Sequence, residues 1–147
     1  MSRTYSQLMF HVVFSTKERQ PIIDVTWSPA LYRYIGGIVE RHGGLLMQAG
    51  GVEDHVHLLL NLRPSKAPSD VIGKLKASSS GWLNTHHAEG FQWQAGYGVF
   101  SVSASKVEAV QKYILDQPHH HASQSFNDEL RWLLQQHDID WDERYLS

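Results

Sequence analysis

Two periods of apolar and polar positions alternate along this chain, and the switches between them mark out the elements. The stretch YSQLMFHVVFS (Tyr5 to Ser15) is dense in β-branched and aromatic residues and runs into the charged, proline-bearing TKERQP, which predicts a strand and then a loop. From Ser28 and Pro29 onward, Leu31, Tyr34, Ile35, Ile38 and Val39 recur at the spacing of one helix face, with Gly43 and Gly44 to end it. Two apolar runs follow, LLMQAGGV and HVHLLLNL, joined through Gly50, Gly51, Glu53 and Asp54 as a hairpin. A second helix is expected over SDVIGKLKASSSGWL, with Ser69 as its cap and Val71, Ile72, Leu75, Trp82 and Leu83 as its apolar positions, weakened by Gly73 and three serines.

In GYGVFSVSAS, Gly98, Phe100 and Val102 alternate with Tyr97, Val99 and Ser101, the period of a fourth strand. A third helix should begin at a capping box formed by Ser105 and Glu108, with an apolar stripe at Val107, Val110 and Ile114, and should be disturbed by Pro118 near Gln117. Phe126, Leu130, Leu133 and Leu134 predict a last helix ending near His137. The order β-α-β-β-α-β-α-α implies an α+β fold, a ferredoxin/RRM-like sandwich with helices on a mostly antiparallel sheet.

A chain of 147 residues is one domain's worth, so residues 1–147 are read as a single domain with an acidic helix and tail over 123–147. The absence of cysteine removes disulfides and thiolate metal sites and permits a reducing compartment. No signal peptide or membrane span is visible, so the expectation is a cytoplasmic protein with no membrane partner. Net charge is -2, which gives no overall footprint for nucleic acid. Its distribution says more: residues 1–122 hold eleven of the thirteen Lys and Arg against nine acids, whereas 123–147 hold two against six. An acidic tail on a mildly basic body is ordinarily a solvated face, and it carries no function in this reading.

The candidate chemistry lies in EDHVHLLL. Alternation puts His55 and His57 on one face of a strand and Val56 and Leu58 on the other. Ten histidines in 147 positions would give roughly 0.7 such pairs by chance, so the pair alone is a weak signal. Its place in an apolar run strengthens it, because buried imidazoles need partners. The helix after Ser105 offers Tyr113 and Gln117 at i and i+4, beside the stripe through which it would pack, and Asp54 can accept from a ligating imidazole and fix its orientation. Two nitrogen ligands, an amide oxygen and a nearby phenol would suit a divalent ion, Mg2+ or Mn2+, with zinc as an alternative. Such a set fits phosphodiester cleavage in which the tyrosine oxygen attacks phosphorus, giving a phosphotyrosine and a free 3′-hydroxyl.

Taken together, FHVVFSTKERQPII, EDHVHLLL, KLKASSSGWLN, FQWQAGYGVFSVS, VEAVQKYILDQ and DERYLS, in this order and spacing, resemble the single-tyrosine HUH transposases of minimal insertion sequences, and above all their relatives associated with repetitive extragenic palindromes. The resemblance implies an HUH endonuclease fold, His55, His57 and Gln117 as metal ligands and Tyr113 as nucleophile. It further implies single-stranded DNA with a palindromic hairpin as substrate, no nucleotide cofactor, and a homodimer in the insertion-sequence members. His121, in the histidine run after Pro118, is an alternative third ligand.

For contacts to DNA, Lys74, Lys76, Ser78, Ser79 and Ser80 form the best local cluster, extended by Arg63 and more weakly by Lys17 and Arg19. Trp93 could stack on an unpaired base, whereas Trp82 is expected in the core. Two other classes compete: a non-catalytic module of the same fold that binds hairpin DNA or RNA, and an unrelated metallohydrolase. A histidine-triad hydrolase would need histidine at position 59, where this chain has Leu59.

Overall fold

The computed structural model describes residues 3–146. Strand β1 (Met9–Ser15) is followed by helix α1 (Ser28–Arg41), the hairpin β2 (Gly44–Gly51) and β3 (His55–Leu62), helix α2 (Pro68–His86) and β4 (Gly98–Val102). Three helices close the chain, α3 (Val107–Leu115), the single turn α4 (Gln117–His120) and α5 (Phe126–Gln136). The sheet order is β2-β3-β1-β4 with every pairing antiparallel, so the predicted α+β sandwich is present.

Both sheet faces are covered. Val12, Phe14, Val56, Leu58, Leu60 and Leu62 face Leu31, Ile35, Val39, Ile72, Leu75 and Leu83 of α1 and α2 in the main core. On the other face, Leu59 packs with Met9, Val102 and Ile114 of α3, and Val13 and Phe100 pack with Phe126 and Leu133 of α5. The central strand β3 is therefore buried from His55 through Leu60, with its two imidazoles on the α3 and α5 side. Gly50 sets how closely α3 approaches. A Cβ there would collide with the Ile114 carbonyl, so only glycine lets the helix lie directly on β2.

Several local expectations are corrected. Strand β1 starts at Met9 rather than Tyr5, because Tyr5 is exposed and pairing begins at Met9 with Asn61. Helix α2 is capped at Ala67 with Pro68 in its first turn, not at Ser69. It runs on to His86 because Ser79, Ser80 and Asn84 bond to backbone carbonyls and tie its second half down. The Ser105 and Glu108 box does not form: residues 104–106 make a tight turn and α3 begins after Lys106 without a side-chain cap. Pro118 does break the helix, after Leu115, but it sits in the first turn of a new one, so Gln117 remains helical and buried. This adds one element to the predicted order.

Candidate active site

Strand alternation and sheet pairing fix the first half of the site. His55 and His57 are both fully buried, each facing the helices through its Nε2. Asp54 accepts from His55 Nδ1 at 2.8 Å, the orienting contact expected of it. His57 Nδ1 is turned toward His11 Nε2 at 2.7 Å. His11 lies on β1 between Met9 and Val13 and is buried on the same face.

The helices supply the rest. Gln117 Oε1 lies 3.0 Å from His55 Nε2, so the break at Asp116 does not cost the amide its place. The Tyr113 ring packs edge-on to His57 at 5.7 Å and to His11 at 6.0 Å. His121 is turned inward, its ring 4.4 Å from that of His55, while His119 is exposed. All five residues proposed from sequence for the reacting centre, His55, His57, Tyr113, Gln117 and Asp54, are thus assembled within one chain, together with the alternative His121.

Sequence reasoning missed His11 and, more consequentially, Glu129, from the tail on which it placed no function. Its carboxylate is fully buried at the centre of the cluster. Oε1 lies 2.9 Å from His57 Nε2, 2.9 Å from His121 Nε2 and 3.4 Å from His55 Nε2. Oε2 accepts from Gln117 Nε2 at 3.0 Å and from the Tyr113 hydroxyl. A signal was available: Glu129 occupies the stripe of Phe126, Leu130 and Leu133, so α5 carries an acid where its spacing demands an apolar residue.

Charge within the cluster follows from these contacts. Burial alone would raise the Glu129 carboxyl, but hydrogen bonds with His55 and His57 outweigh it and hold it ionised, far below the usual range. Burial opposes protonation of His55 as well. Its bonds to Asp54, Glu129 and Gln117 win, lifting it to about 9. His57 is pushed down, by burial first, and His11 falls to about 3 through burial and the adjacent His57. Tyr113 is pushed up by burial and by its bond to Glu129, so the phenol keeps its proton.

These protonation states constrain the ring tautomers. A neutral His57 that donates from Nε2 to the Glu129 carboxylate must accept at Nδ1 from His11. Ligation of an ion through Nε2 would move the His57 proton to Nδ1 and make His11 the acceptor. The donors do fit a divalent cation: ligand atoms of His55, His121 and Glu129 lie within 4.8 Å of one another, and His57 and Gln117 reach the same point. Glu129 Oε1, surrounded by three imidazole nitrogens, stands where such an ion would be held.

The residues proposed for DNA divide. Arg63, Lys74 and Lys17 are exposed, as a phosphate contact requires. Lys76 is half-buried and donates to the carbonyls of Gln94 and Gly96 at 2.9 and 2.6 Å, pinning the segment before β4. Arg19 donates to the Leu146 carbonyl at 2.8 Å. Trp93 is corrected to a core residue: it is buried edge-on to Phe14 and Phe91, with its indole N–H on Ser79 Oγ. Ser79 is consequently buried, and Ser80 is held by the Phe91 carbonyl, while Ser78 is half-buried. Trp82 packs on the core margin, stacked on Tyr34. Helix α2 lies against the sheet face opposite to His55 and His57, so these residues do not line the reacting centre.

The family model described as "Transposase IS200 like" matches residues 4–117. The chain belongs to this family. Among solved structures, a candidate transposase from Deinococcus radiodurans R1 aligns with a TM-score of 0.63 at 26% identity, over 80% of this chain and 96% of that one. A REP-associated tyrosine transposase bound to a REP hairpin aligns with a TM-score of 0.62 at 14% identity, over 82% of this chain and 73% of that one, which is a likeness of fold. No curated protein matches the chain in sequence. Membership makes this IS200-like transposase a DNA-processing protein, and the match to the family model ends at Gln117, before His121 and Glu129. Among its described residues no helix is long and apolar enough to cross a membrane.

Proposed function

We propose that this IS200-like transposase is a metal-dependent, cytoplasmic endonuclease and strand transferase that acts on single-stranded DNA beside a hairpin, with Tyr113 as nucleophile. The observation that carries the reading is the placement of the Tyr113 hydroxyl, Gln117 and both strand histidines around one buried carboxylate. His55, His57 and Gln117 would hold Mg2+ or Mn2+, which when bound supplies positive charge to the scissile phosphate. His121 and Glu129 are further donors within reach.

Tyr113 is oriented by its bond to Glu129 Oε2, which places the carboxylate to take the phenolic proton as the tyrosine oxygen bonds to phosphorus. The bond from phosphorus to the 3′ oxygen breaks, and that oxygen leaves as a hydroxyl after gaining a proton. The ester energy is kept in a 5′-phosphotyrosine, so reversal onto another 3′-hydroxyl joins strands without a nucleotide cofactor. Because one chain supplies every group, the reading does not require a homodimer. Arg63, Lys66 and Lys74 are exposed around the β3 end and the start of α2; after burial, Lys74, Arg41 and Lys66 disfavour protonation of His42, and together these cations form a cluster suited to hairpin phosphates.

One observation favours a second reading, a non-catalytic hairpin-binding module: Glu129 Oε1 already fills the centre, while its Oε2 ties up the tyrosine. Incubation with labelled single-stranded DNA carrying the palindrome beside the gene, in Mn2+ or Mg2+, followed by denaturing electrophoresis, separates the two. A protein-DNA band lost in Tyr113→Phe supports the enzyme; tight hairpin binding with no band supports the module.

A further inference from the structure

A groove of about 620 Å³ opens directly beside Tyr113, between the end of β4, α3 and α5. His11 forms part of its wall, so the groove begins at the reacting centre. Trp132, one turn beyond Glu129 on α5, stands at this groove with 46% of its surface exposed. Its ring lies within 27° of parallel to that of Tyr113, the centroids 6.1 Å apart. Its indole is thus left half in water beside Tyr113, on the helix that buries a carboxylate in the same site, with one face of a large aromatic ring open to the groove.

Val102, Ala109, Val110 and Leu133 make part of the remaining lining apolar; its polar part, Ser101, Ser103, Gln136 and His137, contains no acid, and Lys106 is the one permanently charged side chain. Lys106 forms no ion pair among the described residues. The other sizeable cavity near the site, about 430 Å³ beside Pro118, is lined by Asp24 and Glu53 and by no cation, which disfavours a phosphate chain. Of these two cavities, only the groove beside Tyr113 carries a cation.

We propose that this groove is a subsite for one unpaired nucleotide adjoining the scissile phosphate, its base stacked on Trp132 and its phosphate drawn by Lys106. The proposal rests on the single-stranded DNA reading above and adds where the strand runs past the nucleophile. The volume falls within the range of small-ligand sites, and an exposed ring plus a lysine is the combination that holds single strands without reading their sequence. Ser101 and Ser103 at the end of β4, and Gln136 on α5 beyond the family match, offer donors and acceptors to the base edge, giving a preference among bases.

The test uses the full chain in Mn2+ and a stem-loop oligonucleotide, built on the palindrome beside the gene, with an eight-nucleotide single-stranded extension that carries 2-aminopurine at each position in turn. Stacking quenches the fluorescence, so wild type should quench one or two positions next to the cleavage point. Trp132→Ala should abolish that quench and weaken binding of the extended stem-loop about tenfold, leaving the blunt stem-loop unaffected, with Trp132→Phe restoring most of the loss. Lys106→Glu, at an exposed position, should weaken binding of the extended substrate and leave the blunt stem-loop unaffected. Quenching unchanged in Trp132→Ala, or affinities within twofold of wild type in both variants, overturns the subsite. Wild type that binds neither substrate and forms no Tyr113 adduct instead overturns the function on which it rests.

Discussion

Replacing Glu129 by alanine should be among the most damaging single changes available outside the apolar core. The side chain is fully buried, and its two oxygens serve His57 and His121 at 2.9 Å, Gln117 at 3.0 Å, His55 at 3.4 Å and the Tyr113 hydroxyl. Removing one partner of a buried charged pair costs about 3–5 kcal/mol, because the remaining charge stays desolvated. Here the stranded charge is His55, which is held protonated up to about 9 and would keep only Asp54 as a counterion. For a domain of this size each kcal/mol moves the melting temperature by about 2–4 °C, so the expected fall is roughly 6–20 °C. Calorimetry at pH 7 in the presence of EDTA measures it, with Asp128→Ala as the control on the same helix. Asp128 is exposed and, among the described residues, forms an ion pair with Arg131, a contact worth at most about 1 kcal/mol. A Glu129→Ala melt within 2 °C of wild type, or equal losses in the two variants, would refute a carboxylate buried among imidazoles.

Further outcomes follow from the same contacts. Without metal, stability should peak near pH 6.5: His55, raised to about 9, contributes fully below its ordinary 6.5 and loses that contribution as pH rises through 9. His11, held down to about 3, loses its contribution in the other direction as pH falls below 6.5; a melting temperature still rising between pH 7 and 9 in EDTA would contradict the His55 assignment, and one that does not fall between pH 6.5 and 4 would contradict that of His11. Gly50→Val should cost about 3 kcal/mol through the clash with the Ile114 carbonyl and should lower adduct formation by displacing α3, both read on one purified sample by thermal melt and electrophoresis. Trp93→Ala should lose about 3–5 kcal/mol as a core truncation. Single-strand affinity of its folded fraction, measured by anisotropy, should stay unchanged; a selective loss of affinity would return Trp93 to the DNA interface.

The parts of the site legible in the sequence are those governed by local periodicity. Alternation on β3 put His55 and His57 on one face whatever surrounded them, and the i to i+4 spacing kept Tyr113 and Gln117 together even though the helix between them breaks. Glu129 escaped because its role depends on how α5 crosses the sheet, a contact 72 positions away from His57 in sequence. His11 escaped for the same reason, its partner being fixed by the β1 and β3 register. Lys76, Ser79, Ser80 and Trp93 show the converse error: cations, hydroxyls and rings look available until the chain spends them on its own carbonyls and core. The capping box failed because three residues before α3 turned too tightly to use it.

The break at Asp116 has a mechanical meaning. In an uninterrupted helix any twist that swings Tyr113 would swing Gln117 through the same angle. Asp116, at φ -87° and ψ 11°, puts a joint between them, with Pro118 stiffening the far side. On the proposed reading, rotation of α3 about that joint would re-aim the phenol while the Gln117 amide stays on His55. The tyrosine and the amide are neighbours in sequence, yet they ride on separate levers.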